Sequence, residues 1–189
     1  MYLYAHQSYG GIMRVVAGIA KGHKLKTLDS KDVRPTLDRV KESVFSILYP
    51  YLENAKVLDL FAGSGSLGIE AISRGAAVCH FVDISKKSYD CVVENLRHTK
   101  LENYAFTHLK SAESFLAANT EKFDIIFLDP PYSKGLEDNI FPQLSKILED
   151  DGVILLETEQ PPVEYDGFKS VRRAKYGRVF VTVYKKGDS

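Results

Sequence analysis

Cysteine is scarce in this chain of 189 residues, occurring only at Cys79 and Cys91. Two thiols inside apparently regular structure build no disulfide framework, which excludes the small stapled folds and fits a reducing, cytoplasmic setting. No apolar run approaches the roughly 18 residues of a membrane span, so no membrane partner is expected. The amino terminus lacks the basic-then-apolar layout of a signal peptide. Internal repeats and low-complexity stretches are missing as well, and no metal site is expected. Net charge is zero, with 25 basic and 25 acidic side chains. Hydrophobic residues at 44% and charged residues at 26% are those of an ordinary globular protein. The length allows one well-buried domain with a short appendage and excludes two full ones.

Although the sum of charge vanishes, its distribution is uneven. Residues 13–43 hold eight basic and four acidic groups, and residues 169–186 hold seven basic and no acidic groups, whereas residues 44–168 hold ten basic and twenty acidic. Two basic ends flanking an acidic middle point to a polyanion such as nucleic acid, provided the ends meet on one face. Solvated strand edges protected by Lys and Arg are the plainer explanation.

The chain is organised around Val57 to Gly75, V-L-D-L-F-A-G-S-G-S-L-G-I-E-A-I-S-R-G. An apolar run ends in Asp59, glycines follow at 63, 65 and 68, and Leu67, Ile69, Ala71 and Ile72 fall on helical spacing, so the stretch predicts strand, turn, helix. Glycines let the backbone approach a ligand, and the free N–H groups of the helix start offer it hydrogen bonds. G-S-G-S-L-G with Asp83 twenty residues after Gly63 also fits the dinucleotide fingerprint. Asp59 separates the two ligands: a carboxylate repels a pyrophosphate at this turn but attracts the ammonium and sulfonium of S-adenosylmethionine. Asp59 acting only as a turn cap is the alternative.

In chain order, residues 1–12 match no clean pattern and read as an expression-derived or dispensable leader. Residues 14–19 and 23–28 predict a small basic hairpin with Lys24 and Lys26 on one face. A helix with Val40, Val44, Ile47 and Leu48 as its stripe ends at Pro50, preceded by Arg34-Pro35-Thr36. Residues 13–50 are read as this N-terminal unit, and 51–189 as the main domain. A-V-C-H-F-V-D is a second strand, ending in Asp83, whose carboxylate suits ribose hydroxyls. Ser85 opens a helix with Tyr89, Val92, Val93 and Leu96 inward. Y-A-F-T-H-L is a third strand, followed by a short helix that Ser111 caps, with Ala112 and Glu113 placed for an adenine edge. F-D-I-I-F-L-D is a fourth strand, Leu136 to Leu148 a helix, and G-V-I-L-L-E a fifth strand ending in Glu157. The tail predicts two strands around Tyr176-Gly177. Five strand–helix alternations predict an α/β, doubly wound, Rossmann-like sheet of seven mostly parallel strands, with an antiparallel edge hairpin and the small N-terminal β-hairpin as an extension.

Asp129-Pro130-Pro131-Tyr132 stands at the carboxyl end of the fourth strand, beside the ligand crevice. The prolines remove two donors and stiffen the chain, leaving the Pro130 carbonyl and the Asp129 carboxylate as a rigid acceptor pair for a planar exocyclic amine. Tyr132 offers a face for stacking. Such acceptors align the amine with an activated methyl and stabilise the positive charge of attack.

V-L-D-L-F-A-G-S-G with D-P-P-Y resembles the class I S-adenosylmethionine-dependent amino-methyltransferases. With R-V-V-A-G and R-P-T-L-D-R-V-K-E-S-V-F added, the chain from about Met13 to Tyr184 resembles the bacterial 16S ribosomal RNA guanine-N2 methyltransferases of the RsmD type. The resemblance implies S-adenosyl-L-methionine as cofactor, bound through Asp59, Phe61, Gly63, Gly65, Asp83, Ile84, Ala112 and Glu113. It implies Asp129, Pro130, Pro131 and Tyr132 as the catalytic motif, and the N2 amine of the guanine at position 966 as the target. Glu113 departs from the Asp or Asn common near that cofactor position. The partner implied is 16S ribosomal RNA or an assembling small ribosomal subunit; a monomer is expected, and the basic ends of the chain supply Lys24, Lys26, Arg34, Arg39, Arg172, Arg173, Lys175 and Arg178 as the RNA-binding candidates. Other readings of the same motifs are a DNA or protein-amide amino-methyltransferase, an NAD-dependent oxidoreductase and a non-catalytic RNA-binding module.

Overall fold

The computed structural model describes residues 13–28, 38–130 and 136–187, the side chains of 38, 39 and 136–138 excepted. Helix α1 (Asp38–Leu52) leads into strand β1 (Lys56–Asp59), helix α2 (Ser66–Ser73), β2 (Val78–Asp83) and α3 (Lys86–Thr99). A 3-10 turn then precedes β3 (Ala105–Leu109), α4 (Ala112–Ala118), β4 (Phe123–Leu128), α5 (Leu136–Ile147), β5 (Leu148–Thr158), β6 (Phe168–Tyr176) and β7 (Val179–Lys186). These strands form one sheet in the order β3-β2-β1-β4-β5-β7-β6. The first five are parallel, and β7 pairs antiparallel with both β5 and β6. The expected α/β class, strand count and edge hairpin are all present. Strand order reverses between β1 and β4, so the loops after these two strands diverge and open a crevice there.

Period-two alternation sorts each strand between two cores. Val57, Cys79, Phe81, Ile125, Phe127, Val153 and Leu155 face α1, α2 and α3. Leu58, Val82, Ile126, Leu128, Ile154 and Leu156 face α4 and α5. Both faces of the central strands are covered, which is why those strands read as unbroken apolar runs. Helix starts follow local chemistry: Ser85 accepts from the Ser88 N–H and Ser111 from the Ser114 N–H.

Three local expectations shift. The N-terminal hairpin exists in its shortest form, a single antiparallel bridge between Arg14 and Lys24. Its ladder stops because the next donors are taken by α2: Val16 and Ala17 N–H donate to Glu70, Ile19 N–H to the Ser73 carbonyl and Ala20 N–H to Ser73 Oγ. Pro50 lies inside α1, which runs on to Leu52; it falls in the last turn, where its missing N–H costs the helix one bond and ends it soon after. The inner face of α3 is rotated, with Cys91, Val92, Asn95 and Leu96 buried and Tyr89 and Val93 only half-buried. Asn95 explains the rotation, because its Nδ2 donates to the carbonyls of Lys26 and Ser64 and its Oδ1 accepts from Lys26 N–H.

Candidate active site

The register of the parallel strands places four carboxylates on one face, at the carboxyl ends of four adjacent strands. Asp59 aligns with Phe81 of β2 and Phe127 of β4, so Asp83 and Asp129 follow two residues further on, on the same face. Leu128 aligns with Leu156, which brings Glu157 level with Asp129. Neighbouring strands stand about 5 Å apart. Asp59 therefore lies deep in the crevice, with Asp83 on one side of its mouth and Asp129 and Glu157 on the other.

Each member is held differently. Asp59 is 2% exposed and accepts the Gly68 N–H at 3.1 Å, so it ties β1 to the first turn of α2 while projecting negative potential into the crevice. Burial, only partly offset by that N–H, pushes its carboxyl up to about 7, with Asp129 and Asp83 adding to the shift. Asp83 accepts the Gly63 N–H at 2.9 Å on one oxygen and the Ser85 N–H at 2.8 Å on the other, which leaves each oxygen a second lone pair. Asp129 is raised by the protein packed around it. Its side chain still meets solvent, so water moderates that rise more than it does for the enclosed Asp59. Glu157 is 7% exposed and raised by burial first, then by Asp129 and Asp59.

Two glycines shape the crevice. Gly63 has φ +53°, and a β-carbon there would meet nothing within 4 Å, so the turn leaves open room at the residue whose N–H Asp83 accepts. At Gly68 a β-carbon would come within 2.3 Å of the Phe81 ring, so only glycine lets α2 lie against β2. The open room at Gly63, the two lone pairs of Asp83 and four carboxylates with no ion-pair partner among the described residues fit a cationic adenosyl ligand better than a pyrophosphate.

The other predicted cofactor residues border the same mouth. Phe61 packs partly against the α4–α5 core, Ile84 is 73% exposed just after Asp83, and Ala112 is buried at the start of α4 with Glu113 exposed beside it. Pro130 is buried next to Asp129. Pro131, Tyr132 and Arg34 lie outside the described residues, as do the leader and the side chain of Arg39.

The basic residues form two groups, and the structure keeps them apart. Lys24 and Lys26 lie against α3, where with Glu94, Asn95, Arg97 and His98 they line a cavity of about 540 Å³; none of the four carboxylates lines it. Lys26 is paired with Glu94 at 2.5 Å. Arg172, Arg173, Lys175 and Arg178 belong to the hairpin at the far edge of the sheet. Alternation splits even these: Arg172 shares a face with Val183, while Arg173 and Lys175 share the opposite face with Thr182 and Phe180. Arg173 pairs with Glu164, and Lys175 stands 4.9 Å from the Phe180 ring centroid. One continuous basic patch, the condition attached to the charge pattern, is not formed by these two groups.

Sequence reasoning assigned no role to Glu157, Lys41 or Glu70. The signal for Glu157 was the repeated ending V-L-D, F-L-D and L-L-E on three apolar strands. For Lys41 and Glu70 it was a charged side chain on an otherwise apolar helix face; both are 0% exposed, with Lys41 Nζ 3.2 Å from Glu70.

Because the raised carboxyl groups bind protons more tightly when folded than when unfolded, folding takes up protons and stability falls as pH rises. For Asp59 the loss begins near its unfolded value of about 4 and is complete above about 7. Asp59→Asn keeps an acceptor for Gly68 and removes the titration. Its Tm is expected to match the parent near pH 4 and to exceed it at pH 8, by an amount equivalent to about 1–4 kcal/mol. Parallel Tm–pH profiles of the two proteins would refute the assignment.

The Conserved hypothetical protein 95 family model matches residues 13–185. Ribosomal RNA small subunit methyltransferase D of Haemophilus influenzae is 35% identical over 182 residues, covering 93% of this chain and 94% of its own. The protein of the same name from Escherichia coli K12 is 37% identical over 147 residues, covering 78% and 72%. The solved structure of yhhF from Escherichia coli superposes with a TM-score of 0.82 at 31% identity, covering 95% of this chain and all of that one. With this fold, these relatives and this crevice, the chain belongs to the ribosomal RNA small subunit methyltransferase D family, a family of S-adenosylmethionine-dependent methyltransferases.

Proposed function

We propose that this protein methylates the exocyclic N2 amine of a guanine in 16S ribosomal RNA, at position 966 as the sequence resemblance implies, using S-adenosyl-L-methionine. The observation that carries the reading is that Asp129 and Pro130 directly follow β4, the strand next to Asp59, across the switch point from Asp83. A ligand whose ribose is held by Asp83 lies across the end of β1, which turns its far end toward Asp129. When bound, the cofactor supplies an activated methyl on a sulfonium. Asp83 holds the ribose, Gly63 leaves room for the adenosyl body, and Asp59 favours the positive charge. The Asp129 carboxylate and the Pro130 carbonyl accept from the two N–H groups of the amine, point its nitrogen at the methyl and stabilise the charge that builds on it. Small-subunit ribosomal RNA comes to this reading from the relatives' names. The basic groups against α3 and on the edge hairpin supply phosphate contacts.

Methyl transfer from labelled cofactor to 16S RNA, small-subunit particles, DNA and protein, followed by nucleoside analysis, tests the reading. The expected product is N2-methylguanosine; label in adenine, cytosine or a protein amide would overturn it. Asp83→Ala is expected to weaken binding of S-adenosylhomocysteine by about 1.5–3 kcal/mol in calorimetry, since it removes a charged acceptor along with the tie to Gly63. Asp83→Asn, which keeps one acceptor, should lose less. Unchanged affinity in the alanine variant would remove Asp83 from the ribose site.

A further inference from the structure

We propose that Glu157 reads the Watson–Crick edge of the target base, its Oε1 accepting the N1–H of guanine while Asp129 and Pro130 hold the N2 amine. This inference rests on the guanine reading above. Its starting observation is an oxygen without a partner: Oε1 of Glu157 is buried and makes no hydrogen bond, on a residue only 7% exposed. A buried carboxylate oxygen left unpaired costs free energy, so its retention at this point of the fold calls for a donor that arrives from outside.

Position identifies the donor. Glu157 is level with Asp129 on the adjacent strand and on the same face, on the side away from Asp83 and the glycine turn. It therefore borders the part of the crevice left for the substrate, one strand spacing of about 5 Å from the group that receives the amine. Guanine presents N2–H and N1–H side by side on one edge, and both are donors. A second acceptor next to the amine site matches that pair. Adenine, cytosine and 2-aminopurine carry an amine beside a ring nitrogen that has a lone pair instead of a hydrogen, and such a lone pair faces a carboxylate with repulsion. Burial first, then Asp129 and Asp59, disfavours charge on Glu157 in the free protein; an arriving N1–H favours the charged acceptor, whereas a protonated carboxyl would donate to a lone pair, so the preference for guanine sharpens as pH rises.

The test compares two RNAs that differ at the target base alone, guanine or 2-aminopurine, with the parent and Glu157→Gln. The parent should prefer guanine in kcat/KM, and in RNA affinity measured with S-adenosylhomocysteine present. A glutamine can rotate its amide to donate to the 2-aminopurine nitrogen, so the variant should lose about 10–100-fold on guanine and narrow the preference by at least tenfold. Asp129→Ala serves as the control and should slow both RNAs alike. An unchanged preference in Glu157→Gln, with N2-methylguanosine still formed by the parent, would overturn the role of Glu157 and leave the guanine reading standing. Failure of the parent to form N2-methylguanosine would overturn both. A variant altered only in Tm would make Glu157 a structural residue.

Discussion

Asp129→Ala is expected to slow the methyl-transfer step about 10²–10³-fold in single turnovers at saturating RNA, with cofactor affinity nearly intact. The amine of a nucleobase is a weak nucleophile because its lone pair is delocalised into the ring, so catalysis must orient it and stabilise the charge that appears on attack. In the proposed mechanism Asp129 does both: it directly follows β4, next to β1 at the point where strand order reverses, and adjoins Pro130, whose ring fixes the local backbone. Removing the carboxylate withdraws one preorganised acceptor and leaves Asp59, Asp83 and the glycine turn as they were, which is why binding and rate should separate. Asp129→Asn keeps an oxygen acceptor without the charge and should fall between the two. If Asp129→Ala transfers methyl at the parent rate, the motif is a stiff turn and the mechanism fails.

Glu70→Ala is expected to destabilise the fold by about 3–5 kcal/mol, the cost of stranding one member of a buried ion pair. Glu70 sits in α2, every residue of which is buried, and its two oxygens accept from Val16 N–H at 2.8 Å, Ala17 N–H at 2.9 Å and Arg74 Nε at 2.7 Å. Lys41 of α1 approaches the same carboxylate at 3.2 Å and also donates to the Arg14 carbonyl and Ser66 Oγ. One carboxylate thus joins the N-terminal strap, α1 and the helix that begins at the glycine turn. Without it, the Val16 and Ala17 N–H groups lose their acceptor and Lys41 loses its carboxylate partner, keeping the neutral oxygens of Arg14 and Ser66. Lys41→Met should cost less, because Glu70 keeps Arg74. Tm is expected to fall by roughly 6–20 °C in Glu70→Ala, and amide exchange at Val16 and Ala17 to accelerate. A Tm within a degree or two of the parent would mean that water substitutes for the pair.

Much of the crevice was legible beforehand because its parts are local. A strand that ends in a carboxylate, a turn that needs glycine and a helix with a 3.6-residue stripe are each written within some twenty residues, and Asp59, Gly63, Gly68 and Asp83 belong to such runs. The helix caps at Ser85 and Ser111 follow from short-range hydrogen bonds in the same way. Expectations shifted where a local pattern met a distant partner. The N-terminal ladder ends early since Glu70 and Ser73, more than fifty residues away, take its donors. The α3 face turned since Asn95 found the backbone of Lys26.

By itself the sequence determined the layer architecture and the chemistry of three strand ends, since side-chain period and glycine conformation act at short range. Only the tertiary structure decided which ends stand together. Hydrogen-bond register between strands far apart in the chain puts Asp59 two residues deeper than Asp83 and Asp129 and sets Glu157 beside Asp129. That same pairing sends the basic hairpin to the far edge of the sheet while Asn95 and Glu94 hold Lys26 near α3, so two groups that count alike in composition end up on different elements.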